Sequence, residues 1–249
     1  MSNTAFISEL FSSVQGEGLF AGRRQIFIRL MECNLDCQYC DTDFAMSAVG
    51  KCETAPGSGV SRDVNQPVSL PVVISLVNEW LTRLPGAHHS ISITGGEPLV
   101  SLATLAEWLP ELGRLLPVHL ETNGTLSQAL RQVKPLLHHI SMDIKLPSTS
   151  GIGRSLWEEH ALFLREAYGI SLAVKIVVSD RTTPEEIWQV TDLIRGVDGA
   201  IPLFIQPLSL TDGSVGIGAV TLLELQALAA SRLSDVRVIP QMHRMLGAL

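Results

Sequence analysis

The 249 residues carry 25 acidic against 18 basic side chains, a net charge of −7, and 46% of them are hydrophobic. That balance supplies a core for one large domain, lacks the clustered Lys and Arg of a nucleic-acid footprint, and contains no apolar run of the roughly 18–20 residues that span a bilayer. Four cysteines, three of them between positions 33 and 40, do not suit the disulfide framework of a small secreted protein; with no basic-then-apolar leader in MSNTAFISEL, they point to a metal in a reducing, cytoplasmic setting.

The first motif along the chain is Phe11-Ser-Ser-Val14-Gln15-Gly16-Glu17-Gly18, which by itself reads as a β-turn. Gln25 to Leu30 follows as an apolar, β-branched strand, and Cys33, Cys37 and Cys40 come directly after it. From Phe44 to Pro67 turn formers dominate and periodicity is lost, so a loop insertion over one mouth of the fold is expected at about 44–67. Beyond it, strand-like and helix-like stretches alternate. The strands are Ser90 to Thr94, Val118 to Glu121, His139 to Asp143, Ala173 to Val178 and Leu203 to Gln206, with Val236 to Ile239 as a further candidate. The helices are Val72 to Leu84, Leu102 to Leu115, Leu156 to Tyr168, Pro184 to Arg195 with Thr182 or Thr183 as N-cap, and Val220 to Ala230. Such alternation predicts an α/β fold: one domain over 1–249 built as a partial (β/α) barrel of about six parallel strands, with functional residues at the strands' C-terminal ends.

Three thiolates on one short loop can hold three irons of a 4Fe-4S cluster and leave the fourth open to a ligand. A zinc site completed by Cys52 or a histidine satisfies the same spacing. Several strand ends carry polar groups that suit a small ligand. Gly95 and Gly96 let backbone approach closely, and Glu97 offers an acceptor for an ammonium. Asp143 and Lys145 end one strand, and Gln206 and Pro207 another. His88, His89, His138, His139 and His160 read as structural or solvated.

The spacing C-x3-C-x2-C with Tyr39 before the last cysteine, together with Gly95-Gly96-Glu97-Pro98, resembles the radical S-adenosylmethionine (SAM) superfamily. The resemblance implies that the open iron chelates SAM, that Tyr39, Cys40 and Asp41 flank it, that Gly95, Gly96 and Glu97 hold its amino group, and that Asp143, Lys145, Gln206 and Pro207 approach the rest. The ensemble from Gln15 to Arg29, Cys40-Asp41-Thr42, and Arg237 to Gly247 resembles the 7-carboxy-7-deazaguanine synthase family. What this implies is a carboxylated tetrahydropterin substrate, with Arg29 on its carboxylate, Glu17 hydrogen-bonded to it, and Val14, Gln15, Gly16, Thr94, His243 and Leu249 around it. The last two belong to a C-terminal pocket segment at about 236–249. Mg2+ on Thr42, an electron donor such as flavodoxin or ferredoxin, and a homodimer are implied in the same way. Two rivals stand beside this reading: an activase that makes a glycyl radical on a partner protein, and a zinc-stabilised binding module.

Overall fold

The computed structural model describes residues 3–40 and 49–248. In chain order these form β1 (Thr4–Ala5), β2 (Ile7–Val14), β3 (Arg24–Leu30), β4 (Val49–Glu53), β5 (Ser61–Asn65), β6 (Val68–Ser69), α1 (Leu70–Arg83), β7 (Ser90–Gly95), α2 (Leu102–Leu112), β8 (Val118–Thr122), α3 (Ser127–Val133), β9 (His139–Ile144), α4 (Pro147–Ser150), α5 (Trp157–Ala167), β10 (Ser171–Val178), α6 (Pro184–Arg195), β11 (Leu203–Pro207), α7 (Ala219–Ala230), β12 (Val236–Val238) and α8 (Met242–Leu246). One ten-stranded sheet runs β12-β11-β10-β9-β8-β7-β3-β2-β4-β5, and the short β1 and β6 pair separately. From β3 through β7 to β12 every neighbour is parallel. Strand β2 runs antiparallel to β3.

Alternation along the parallel strands sorts their side chains between two environments. Ile26 and Ile28, Ile91 and Ile93, Ile140 and Met142, Val174 and Ile176, and Leu203 and Ile205 are buried in the core with the helices. The α1 residues Val73, Val77 and Trp80 and the α6 residues Ile187, Val190 and Ile194 are buried at helical spacing. The intervening strand residues are mostly polar: Arg29, Thr94, Glu121, Asp143, Lys175 and Gln206 all line one cavity. At the other ends of the strands, Phe20 packs its ring 4.7, 5.2 and 4.6 Å from those of His89, His119 and His139.

The expected strands and helices are present, with α2 ending at Leu112 and Thr183 the N-cap of α6, in a capping box with Glu186. Val236–Val238 joins as a seventh parallel strand. The 44–67 segment departs from expectation. Residues 49–65 form a β-hairpin, and β4 lies along β2 at the sheet edge rather than over a mouth. Buried Glu53 anchors it, accepting from Ser12 N at 2.9 Å, Gly57 N at 2.9 Å and Gly59 N at 2.7 Å. Because β5 is solvated along most of its length, it carries no apolar alternation to announce a strand.

Candidate active site

The cysteine loop leaves the end of β3 and is clamped from three neighbouring strand ends. From β7, Gly96 N donates to Leu30 O at 3.1 Å and Glu97 N to Glu32 O at 2.8 Å. The approach requires both glycines. Gly95 has φ +120°, and a Cβ on Gly96 would overlap the Glu32 carbonyl and lie 2.8 Å from Cβ of Cys33. From the β8 end, Asn123 Nδ2 donates to Asn34 at 2.8 Å, while Asn34 Nδ2 donates to Thr125 at 3.0 Å. Beyond β9, Ser150 O accepts from Gln38 N at 2.8 Å, and Lys145 Nζ donates to the Tyr39 hydroxyl at 3.1 Å.

Cys33, Cys37 and Cys40 line one cavity of about 680 Å³ at the C-terminal ends of the parallel strands, and none is in a disulfide. Among the described residues no three His, Cys, Asp or Glu side chains converge on a single ion. A cubane asks for something else, three thiolates each on its own iron, and three cysteines along one cavity wall fit it. Burial pushes the Cys37 thiol up to about 11, so a thiolate there needs a cationic partner such as iron. Cys52 is elsewhere, buried on β4 in the hydrophobic core with its Sγ facing the Glu53 carbonyl at 3.6 Å. A zinc site completed by Cys52 is therefore not formed.

A line of buried charges crosses the cavity from this loop. Lys145 meets Asp143 at 2.9 Å, Lys175 meets Asp143 at 3.2 Å and Glu17 at 2.5 Å, and the other Glu17 oxygen accepts from Gln206 at 3.1 Å and Gln241 at 2.8 Å. Burial works to raise the Glu17 carboxyl, but Lys175, with Gln241 and His243, outweighs it and holds the group at about 2. Burial likewise opposes the charge on Lys145 and Lys175, and Asp143 between them reverses the balance, so both stay protonated.

Beside the Glu17 turn, Glu121 Oε1 accepts from Gln15 Nε2 at 2.7 Å and Ser92 Oγ at 2.6 Å, and its Oε2 accepts from Thr94 Oγ1 at 3.0 Å. Gln15 also donates to Gln25 Oε1 at 3.0 Å and accepts from Glu17 N at 3.0 Å. With both amide hydrogens and the oxygen engaged, its side chain holds Glu121 and the turn in place. Val14, Gln15 and Gly16 line the cavity, with the Gln15 amide already engaged by these partners. Arg29 pairs with Glu9 through Nε at 2.8 Å and lies 5.7 Å over the Phe11 ring, which stacks on Phe27 at 4.9 Å. The C-terminal segment closes the wall: Met242 N donates to Gly16 O at 3.0 Å, and His243 packs so near Gly16 that a Cβ there would overlap its ring.

Most of the expected site residues thus surround one cavity. Glu97 is placed differently, fully buried beneath the wall made by Gly95 and Gly96. It accepts from Leu99 N, Thr122 Oγ1 and Asn123 N at 3.0, 2.9 and 2.7 Å. Burial outweighs those bonds and pushes its carboxyl up to about 7. Pro207 is buried behind Gln206 and does not line the cavity, whereas Leu208 and Ser209 do. Asp41, Thr42 and Leu249 lie outside the described residues. Sequence reasoning passed over Glu121, Lys175 and Gln241 as site residues. A lone cation in the apolar run Leu172-Ala-Val-Lys175-Ile was the available signal for Lys175.

No model of a protein family matches the chain. The chain is 47% identical over 246 residues to the 7-carboxy-7-deazaguanine synthase of Geobacter sulfurreducens, covering 98% of each. It is 35% identical over 263 residues to that of Methanothermobacter thermautotrophicus, covering 97% of this chain and 96% of the relative. It belongs to the 7-carboxy-7-deazaguanine synthase family. Solved structures agree on the fold. QueE from Escherichia coli matches with a TM-score of 0.56 over 97% of this chain and 96% of that one, at 21% identity. A radical SAM methyltransferase from Sphaerobacter thermophilus matches with 0.60 over 88% and 66%, at 13% identity. The family's fold is therefore the radical SAM fold, a partial barrel whose strand ends bear the cysteine loop.

Proposed function

We propose that this chain is a radical SAM enzyme that converts 6-carboxy-5,6,7,8-tetrahydropterin to 7-carboxy-7-deazaguanine with release of ammonia, a step towards queuosine and other 7-deazapurines. The observation that carries the reading is the juxtaposition in one cavity of three cysteines with Arg29, Glu121 and the Gln15–Gly18 turn. Full-length likeness to synthases of that name supports it.

Cys33, Cys37 and Cys40 hold a 4Fe-4S cluster. The cavity-lining residues that would hold SAM are Gly95, Gly96, Tyr39, Cys40, Asp143, Lys145 and Gln206, with Asp41 following the cluster loop. Glu97 sets the two glycines through the ends of β7 and β8. Once bound, cluster and SAM supply a one-electron route to abstraction of a hydrogen atom from the substrate. The chain's own groups do the positioning. Arg29, braced by Glu9 and Phe11, has its terminal nitrogens for the substrate carboxylate. Glu121 and Glu17 accept from the N–H groups of the heterocycle, and Val14 to Gly16, Thr94, His243 and Leu249 close around it. The Thr42 hydroxyl would offer an oxygen ligand to Mg2+, a hard cation that would help hold the anionic substrate. The enzyme is a cytoplasmic homodimer served by flavodoxin or ferredoxin. Among the described residues no helix is long and apolar enough to cross a membrane.

Arg29→Ala tests the assignment. A charge-assisted bond to a carboxylate contributes about 1.5–3 kcal/mol, so kcat/KM on the carboxypterin should fall roughly 10- to 100-fold while cluster content stays unchanged. An activase acting on a protein glycine has no use for that guanidinium and would keep its rate.

A further inference from the structure

Lys175 stands between the two halves of the cavity. Its ammonium is within 2.5 Å of Glu17, on the turn of the substrate side, and within 3.2 Å of Asp143, on the cofactor side. Sheet register fixes this place, because Lys175 on β10 is the direct neighbour of Asp143 on β9. Asp143 is shared, its Oδ2 taken by both Lys145 and Lys175, while its buried Oδ1 has no hydrogen-bond partner among the described residues. The result is one alternating row, Lys145, Asp143, Lys175, Glu17, in which a change of partner at one end must be felt at the other.

Resting on the function proposed above, we infer that Lys175 is a positioning residue that couples the two binding events, so that SAM and carboxypterin each tighten the other's binding. An anionic group that engages Lys145, such as the carboxylate of SAM's methionine half, takes one of the two cations from Asp143. Asp143 then draws Lys175 closer, and Glu17 loses its nearest cation. That leaves the Glu17 carboxylate open to the N–H donors of the heterocycle. In the reverse order, donors that occupy Glu17 release Lys175 to Asp143 and leave Lys145 for the incoming carboxylate. By linkage the two effects are equal in size. A purely structural ion pair would lower stability on removal without altering this mutual dependence.

The test uses the cluster-loaded protein under anaerobic conditions without reductant, so that no turnover occurs, and measures carboxypterin binding by titration calorimetry with and without saturating SAM. Wild type should bind about 10-fold more tightly with SAM, and SAM should gain the same factor from carboxypterin. In Lys175→Met both factors should shrink to within about twofold, whereas Lys175→Arg, which keeps the cation, should retain most of the effect. Lys175→Gln carries the test should the Met variant fail to fold, and melting temperatures report stability separately. A wild-type factor surviving in Lys175→Met or Lys175→Gln overturns the inference, as does a wild type whose carboxypterin affinity ignores SAM. Carboxypterin failing to bind wild type at all overturns the proposed function, and the coupling with it.

Discussion

A missing side chain does as much at this site as any that is present. The cysteine loop sits against β7 because Gly96 has no Cβ to strike Glu32 and Cys33. Alanine there forces backbone apart at a place with no flexible side chain to give way, which typically costs about 1–3 kcal/mol in a packed interior. Gly96→Ala should therefore lower the iron bound per chain after anaerobic reconstitution. Gly153→Ala, where an added Cβ meets nothing within 4 Å, should keep the wild-type amount; equal iron in both variants would refute the clamp. The same scale shows what a sequence can and cannot display. Three cysteines on one short loop declare a metal site by identity and spacing, and a Gly-Gly pair gains its meaning only beside them. Glu97 and Glu121 are both acids at strand ends, yet one is sealed under the cavity wall and the other lines it. Nothing in residue type separates them, because the difference arises from which neighbouring strand supplies the hydrogen-bond donors.

Elements are held to one another by buried polar groups whose protonation the fold dictates. His160 on α5 is fully buried. Its Nδ1 donates to the Gly124 carbonyl after β8 at 3.1 Å, and its Nε2 accepts from Lys145 N after β9 at 3.1 Å. That pattern needs a neutral ring, and burial draws its pKa down from 6.5 to about 4. Between those values the unfolded chain binds the proton and the folded one does not, so stability is retained above pH 6.5 and lost as pH falls towards 4. The loss attributable to this group is roughly 3 kcal/mol across the window. His160→Gln should flatten that part of a denaturant-midpoint profile against pH, and an unchanged slope would contradict the assignment. The parallel strands were legible because one face of each is continuously apolar against helices. Strands β2 and β5 were not. Ser12 and Ser13 of β2 are buried polar residues, with Ser12 satisfied by Glu53, His88 and Arg24 from distant segments, and β5 has no buried face to pattern.

Across the whole molecule, parallel strands under a helical layer bring their C-terminal ends to one side, and the sheet stays open between β12 and β5. One cavity there is framed by the cysteine loop, the turn at Gln15–Gly18 and α8 from the far end of the chain. That convergence explains why motifs more than 200 positions apart read as one site from sequence. It also explains why the charge row through Lys175 was invisible until β10 was laid beside β9. The decisive measurement is an anaerobic reaction of the reconstituted protein with SAM, Mg2+, a reductant and 6-carboxytetrahydropterin, following absorbance and ammonia. A deazapurine chromophore should appear with one ammonia per product. Cleavage of SAM without any deazapurine, or a chain that takes up stoichiometric zinc and shows no reducible cluster, would contradict it.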